Sequence, residues 1–487
     1  MKRNRTPILL QPDPSRVVIR PFELHNRERI AKIIGRVFSL SERRARDQAK
    51  RLLDEFGGRH TNPRAIFLDR FNQVKEFLLT DMPMTEDRKL LIGGYFLQEY
   101  ALEAAALFNP SIVPHPDQSG LTQGELRYIM SLRATGEGHI SSITFRTGRI
   151  DAQGRVTVDP ASPLVNSGTV EADPSYDRAL FLRKLHELGL DTPWSREIME
   201  ELEDSFTLLQ LEAVVLRALA RNRFSPAIER ENADALLSLA RANYELDFNP
   251  TGDLSERVIF PYSSTETRGI EDARFVRFEE EDGQSIYYAT YTAYNGHAFL
   301  PQLLATKNFC EFSINTLNGP EVQNKGMALF PRKINGRYAM ISRQDNENVY
   351  LMYSNMLHFW YEKTLLLRPT FPWEYVQLGN CGSPIETSEG WLLLTHGVGF
   401  MRKYAIGAVL LDLDDPSRVI GRLKRPLLAP DAREREGYVP NVVYSCGALV
   451  HAGRLILPYA LSDQCTSFAT FDLEELLTEL KQAGNPR

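Results

Sequence analysis

The chain is poor in cysteine, with four in 487 residues (Cys310, Cys381, Cys446 and Cys465) and none at metal-ligand spacing. They read as reduced thiols of a cytoplasmic protein rather than as a disulfide framework. No hydrophobic run approaches the length of a transmembrane helix. Between the basic start Met1-Lys-Arg-Asn-Arg and Gln11-Pro12 the longest apolar stretch is Ile8-Leu9-Leu10, too short for a signal core. Positive charge is not in excess: the formal net charge is -6, which argues against a general nucleic-acid binder. The nine histidines are scattered, so no metal site is expected. A nucleophile elbow, a Walker loop and an HExxH helix motif are all missing.

What is present changes character along the chain. Residues 27–56 carry Ile30, Ile33, Ile34, Val37, Ala45, Leu52, Leu53 and Phe56 at helical spacing, stopped by Gly57-Gly58. Asn62-Pro63 opens a second helix through Leu79, and Thr85 caps a third from Glu86 to about Leu107, broken at Asn109-Pro110. Strands are expected at 126–133 and 140–145. A second helical block follows from about Pro174 to Leu246, then strand-rich sequence from Val258 to Phe468 and a last helix at Leu473–Gln482. The expected division is therefore a helical region over 1–100, a first blade over 101–172, a helical insertion over 173–250 and the remaining blades over 251–487.

Within the strand-rich parts a turn glycine leads an apolar strand five times, at Gly124, Gly283, Gly336, Gly390 and Gly453. The last four are spaced 53, 54 and 63 residues apart. Four-stranded blades need roughly 40–50 residues each, so five units suggest a five-bladed β-propeller; a stack of two sheets is the alternative. Polar groups end these strands: Arg133, Thr290-Tyr291-Thr292, Arg343, His396 and Tyr459. In a propeller they converge on one mouth of the axis and make one pocket.

Three clusters bear chemistry. In Gly269-Ile-Glu-Asp-Ala-Arg274 two acids and an arginine meet, either as a structural ion pair or as a proton donor with a pKa raised by enclosure. Strand alternation would point Glu271 and Asp272 in opposite directions. Lys325 and Arg343, joined through the Asn335-Gly336 turn, make an anion site if both aim inward, and two solvated cations otherwise. His396, with Gly397 beside it and Tyr404 eight residues on, is either a hydrogen-bonded core histidine or part of that site.

At these residues the sequence resembles glycoside hydrolase family 130, the β-mannoside phosphorylases and related β-mannosidases. The resemblance is carried by Gly269-Ile-Glu-Asp-Ala-Arg274, Tyr287-Tyr-Ala-Thr-Tyr-Thr-Ala293, Leu329-Phe-Pro-Arg-Lys-Ile-Asn-Gly336, His396-Gly-Val398, Gly407-Ala-Val-Leu-Leu-Asp412 and Val439-Pro-Asn-Val-Val443. It covers about 100–155 and 255–470. It implies a five-bladed propeller with Asp272 as the catalytic acid, and phosphate held by Arg133, Lys325, Arg343, His396 and Tyr404. Asn109, Glu271, Arg274, Tyr291 and Asp463 would contact the sugar. Ala273 replaces the motif's proline, Lys325 stands where an arginine is common, and Pro458-Tyr-Ala-Leu-Ser-Asp463 departs from the usual Tyr-Tyr-Gly-Ala-Ala-Asp.

The implied reaction is inverting phosphorolysis of a β-mannoside to α-mannose 1-phosphate, with inorganic phosphate as co-substrate and no cofactor. The proton can travel through a mannose hydroxyl. An inverting β-mannosidase is the alternative, and would need a second carboxylate from Asp463, Glu347 or Glu386. A non-catalytic propeller that binds glycans or proteins is the third reading. The helical segments would serve as an oligomer interface or as a wall over the pocket.

Overall fold

The computed structural model describes residues 4–78, 82–171, 175–221, 223 and 225–485. The expected ends at Met1, Leu79, Pro174 and Arg487 and the expected boundary at 172–173 lie outside the described residues. The protein is mainly β, and its sheets are mostly antiparallel groups that follow one another along the chain, none of them closed on itself.

The first group is Ala106–Pro114, Leu126–Thr135 and Ser141–Ile150; the second is Gly269–Glu279, Ser285–Tyr294, Phe299–Thr306 and Glu311–Thr316. One parallel pairing, Gly269 with Ser141, joins these two into a single larger sheet. The third group runs Ala328–Leu329, Tyr338–Ser342, Val349–Ser354 and Lys363–Leu367; the fourth is built on Gln377–Asn380, Gly390–Val398, Tyr404–Leu411 and Val419–Arg422. In the fifth, Val443–Tyr444, Arg454–Leu461 and Cys465–Asp472 are completed by Asn4–Leu10 from the other end of the chain. The five turn glycines each precede or begin the second long strand of a group, and all five have positive φ, which an L side chain adopts only under strain.

Successive groups touch one another. Phe275 donates its N–H to the Ser111 hydroxyl (3.0 Å), the Thr290 hydroxyl donates to the Met327 carbonyl (2.5 Å), and Leu378 donates to the Glu347 carbonyl (3.1 Å). A Cβ on Gly382 would lie 2.4 Å from the Cys446 carbonyl, and Cys446 donates its own N–H to Pro110 (2.8 Å). Contact thus passes from each group to the next and from the fifth back to the first.

Packing between groups explains the unbroken apolar strand Trp391-Leu-Leu-Leu394. Every residue of Gly390–Val398 is buried. Trp391 and Leu393 pack with Ala339 and Ile341 of the third group, while Leu392 and Leu394 pack with Leu455 and Leu457 of the fifth. A strand covered on both faces needs no polar side, so its sequence does not alternate.

The N-terminal region is not purely helical. Asn4–Leu10 is a strand of the fifth group, and Val17–Pro21 pairs with Leu97–Ala101. Between them the expected 27–56 helix is two, Arg27–Phe38 and Glu42–Phe56. Ser41 accepts a hydrogen bond from the Arg44 N–H and caps the second. The third expected helix ends at Gly94 rather than near Leu107, because Gly93-Gly94 halts it and Ala106–Pro114 enters the first sheet as a strand. Asn109-Pro110 forms a bulge in that strand, where proline's missing N–H costs no ladder bond.

The inserted block contains Arg178–Glu187, Pro193–Glu200, Leu208–Arg221 and Pro226–Arg241 around its own apolar cluster. It is anchored where Tyr244–Asp247 pairs with Glu311–Thr316, extending the outer edge of the second group. Among the described residues, no helix is long and apolar enough to cross a membrane.

Candidate active site

Two bulges place the central side chains. In Gly269–Glu279 the pairing with Ser285–Tyr294 slips between Glu271 and Arg274, and Asp272 takes φ 55°. In Ala106–Pro114 the slip falls between Phe108 and Ser111, and Asn109 takes φ 48°. An extra residue turns a strand's side chain out of alternation. Here it brings Asn109 Nδ2 to 2.6 Å from Asp272 Oδ1.

The bulge also overturns the expectation that Glu271 and Asp272 point apart. One guanidinium, Arg133, meets Glu271 Oε1 at 2.9 Å and Asp272 Oδ1 at 3.4 Å. Lys325 Nζ lies 3.3 Å from Glu271 Oε2. Arg274, fully buried, donates to the Asp272 carbonyl (3.0 Å) and to the Tyr444 hydroxyl (2.7 Å), with Nη2 3.9 Å from Asp272 Oδ2.

Tyr444 links this acid cluster to the histidine. Its ring lies edge-on to His396 at 4.9 Å, and Tyr404 stacks on His396 at 6.0 Å. Arg343 adjoins them: a Cβ on Gly379 would sit 2.4 Å from His396 Cε1 and 2.9 Å from Arg343 Cδ. Gly326, next to Lys325, leaves equally little room, since its Cβ would lie 2.5 Å from Arg343 Nε. Asp272, Arg133, Arg274, Lys325, Arg343, His396 and Tyr404 therefore form one continuous constellation drawn from all five strand groups, the fifth through Tyr444.

Its electrostatics differ from the expected raised acid. Burial would push Asp272 up, but Arg133, Arg274 and Lys325 with the Asn109 donor outweigh it and hold the carboxyl below the ordinary range. Asp463, in the turn between Arg454–Leu461 and Cys465–Asp472, is the group pushed up, to about 6, by burial and then by the charge of Asp272. Burial, then Arg343 and Arg274, hold His396 well below its ordinary value, so its imidazole is neutral.

Several buried polar atoms in this neighbourhood have no hydrogen-bond partner: Arg343 Nε and Nη1, His396 Nδ1 and Asn109 Oδ1. Each would cost about 1–3 kcal/mol if left unpaired in a closed core. Cations (Arg133, Arg274, Lys325, Arg343, with Arg402 acting on Asp463) outnumber the carboxylates Glu271, Asp272 and Asp463. The unmet Arg343 N–H groups beside surplus positive charge suit an oxyanion.

Other expected residues lie elsewhere. Tyr291 is on the opposite face of its strand, where its hydroxyl donates to the buried Glu266 (2.8 Å), which also takes a hydrogen bond from Tyr244. Alternation puts Thr290 and Thr292 on the other side from Tyr291, so the sugar-contact role is withdrawn. Tyr459 donates to Glu434 (2.7 Å), which pairs with Arg5. Glu386 is taken by Arg332 at 2.8 Å and Glu347 is exposed, which leaves Asp463 as the carboxylate beside Asp272 among those three.

Sequence reasoning missed Tyr444, Asn380 and Arg402. Asn380 is fully buried with neither amide atom hydrogen-bonded, and stands next to Gly379. None of the three carried a local signal: Asn380 ends the short strand Gln377-Leu-Gly-Asn380, whose sequence is no more apolar than a loop's.

A buried acid beside surplus cations suits chemistry that moves a proton next to an anion. The comparisons with known proteins narrow it. A family model described as beta-1,4-mannooligosaccharide phosphorylase matches residues 251–482. The chain is 36% identical over 231 residues to a 1,2-beta-oligomannan phosphorylase of Thermoanaerobacter sp. (strain X514), covering 46% of this chain and 75% of the relative. It is 33% identical over 233 residues to the beta-1,2-mannobiose phosphorylase of Listeria innocua, covering 46% and 63%. The solved structure of a Listeria innocua beta-1,2-mannobiose phosphorylase in complex with beta-1,2-mannobiose aligns over 78% of this chain and 92% of that one, at 20% identity and a TM-score of 0.47. The chain belongs to glycoside hydrolase family 130.

Proposed function

We propose that this protein is an inverting phosphorylase that cleaves a β-mannoside with inorganic phosphate. The observation that carries the reading is the pairing of Asp272 with a cluster of cations in which two Arg343 N–H groups are unmet beside a neutral His396. Phosphate binds against Arg343 and the neutral His396, with Lys325, Arg133 and Tyr404 around it. One of its oxygens bonds to the anomeric carbon from the face opposite the leaving sugar. The glycosidic bond breaks, the leaving oxygen takes the proton of Asp272, and the products are α-mannose 1-phosphate and a shortened acceptor.

The low pKa of Asp272 among these cations accords with this order of events. A phosphate dianion beside the cations offsets the charge that holds Asp272 ionised, so binding raises its pKa and loads the acid with a proton. Asn109 orients the carboxyl. Glu271, Arg274 and Asp463 complete the sugar side, Glu271 and Arg274 chiefly by fixing Arg133, Lys325 and Tyr444.

The scaffold we infer is a five-bladed propeller, with N-terminal and inserted helical segments divided near residues 100, 172 and 250. Its support is the run of contacts from each group to the next and from the fifth back to the first. A cytoplasmic setting suits a reaction that consumes phosphate, and the four cysteines are free. One observation favours a second reading: Asp463, with its raised pKa next to Asp272, could serve a β-mannosidase as the base that activates water.

Reverse synthesis tests the proposal. Mannose 1-phosphate offered with a panel of mannose and glucose acceptors should yield a β-mannoside and free phosphate. No transfer to any acceptor, with mannose released from β-mannosides at a rate indifferent to phosphate, would establish the hydrolase instead.

A further inference from the structure

Exposure rises outward from the acid cluster. Arg274 and Asp272 are buried, Arg133 and Asp463 are partly exposed, and the segment 435–438 next to the Asp463 turn stands in solvent. That segment is seated on the turn. Val439 donates its N–H to the Ser462 carbonyl (2.9 Å), and a Cβ on Gly437 would lie 2.6 Å from Ser462 Cβ. At the segment's far end the Tyr404 N–H donates to the Asn441 carbonyl (3.1 Å), which ties it to the strand that carries Tyr404.

Tyr438 projects from this segment and is 57% exposed, yet its ring is fixed. The hydroxyl is hydrogen-bonded to His139 Nδ1 (3.2 Å), and the two rings lie 5.7 Å apart at 33°. His139 belongs to the turn that follows the strand of Arg133, where Gly138 and His139 take left-handed backbone, φ 67° and 61°. A side chain held in that region costs backbone energy, and such residues concentrate at binding sites. The pair joins the turn after Arg133 to the segment on the Asp463 turn, and so bridges the first and fifth groups. The hairpin tip from which Arg402 acts on Asp463 adds Phe400 and Met401, 78% and 86% exposed. They are the two most exposed large apolar side chains among the described residues.

A single exposed aromatic needs no explanation. A hydrogen-bonded aromatic pair at the rim of a polar pocket, with an apolar tip nearby, marks a surface that is covered in use. Its exposed ring, edged by a phenol and an imidazole, matches a pyranose, which offers a C–H face ringed by hydroxyls. We propose that Tyr438, positioned by His139, is the platform of an acceptor subsite on which the leaving saccharide packs. The reacting mannosyl unit lies against the buried Asp272, so the leaving part is the one that reaches the rim. The inference rests on the phosphorylase function proposed above and deepens it.

The test is reverse synthesis by the full-length chain from mannose 1-phosphate, with mannose, β-1,2-mannobiose and β-1,4-mannobiose as acceptors. Tyr438→Ala should raise the acceptor KM by about three- to tenfold, the scale of one aromatic contact, and leave the KM for mannose 1-phosphate unchanged. Tyr438→Phe, which keeps the ring, should hold the acceptor KM within about twofold of the parent, and His139→Ala should raise it less than Tyr438→Ala does. An acceptor KM unmoved by Tyr438→Ala, or one that rises together with the KM for mannose 1-phosphate, overturns the subsite and leaves the phosphorylase reading standing. A chain that transfers mannose to no acceptor sinks the phosphorylase reading instead. The platform is then read by calorimetric titration with the two mannobioses. Weaker binding to Tyr438→Ala than to the parent supports it, and equal binding, or none to either, overturns it.

Discussion

Replacing Asp463 by asparagine should remove activity and stabilise the protein at neutral pH. Asp463 sits at φ 51°, a conformation asparagine tolerates, so the turn is spared. Burial and the charge of Asp272 raise its carboxyl from 3.8 to about 6. A carboxylic acid with a raised folded-state pKa opposes folding wherever it must ionise. Its cost is absent below the unfolded value, grows as pH rises from about 4 to 6, and is constant above. A two-unit shift corresponds to about 3 kcal/mol. Asp463 keeps partial contact with solvent, and screening reduces this to about 1–2 kcal/mol. Urea unfolding of the two proteins from pH 4.5 to 8 reads the difference. The gap should be small at pH 4.5 and reach its plateau, in favour of asparagine, by pH 7. An asparagine variant no more stable than the parent at pH 7.5, or a gap equal at pH 4.5 and 7.5, refutes the account of this site's charge.

Arg343→Ala removes the guanidinium whose Nε and Nη1 are unmet, and should raise KM for phosphate by about 10- to 150-fold, the scale of a charge-assisted hydrogen bond, in initial-rate kinetics. Asn109→Ala deletes the 2.6 Å bond to Asp272, one of the causes that lower its pKa. It should lower kcat/KM about tenfold or more and move the alkaline-side limb of the pH–rate profile, where the acid loses its proton, upward. Tyr291→Phe should leave KM for mannoside and phosphate unchanged while costing about 1–3 kcal/mol of stability, because buried Glu266 loses a donor. The buffer-dependent enthalpy of phosphate binding at pH 6–7 should differ between the wild-type chain and Asp272→Asn by about the one proton that Asp272 takes up.

Much of the fold was legible because turn chemistry and strand composition are local. The five glycine-led strands, the insertion helices and the C-terminal helix, observed at Leu473–Ala483, followed from glycine positions and apolar periodicity. Errors arose where long-range pairing decides. Asn4–Leu10 looks unremarkable alone and is a strand because Cys465–Asp472 offers it an edge. The stretch 97–107 reads as helix by spacing, but pairing with Val17–Pro21 and Leu126–Thr135 overrides propensity.

The site divided the same way. Arg343 and His396 stood out as a cation and an imidazole at the ends of apolar strands, and Asp272 through the Glu-Asp-x-Arg cluster and the resemblance it carries. The bulges at Asn109 and Asp272 were invisible, so Glu271 and Asp272 were wrongly set apart and Tyr291 was wrongly turned inward. Tyr444 and Asn380 reach the site through contacts between distant strands that no local pattern records.

The most direct test is to incubate the protein with β-mannobiose at several phosphate concentrations and follow the anomeric products by NMR from the first turnovers. The account predicts α-mannose 1-phosphate as the initial product, at a rate that saturates with phosphate, and no product from Asp272→Asn. Free mannose at a rate independent of phosphate, or an undiminished rate in Asp272→Asn, would contradict it.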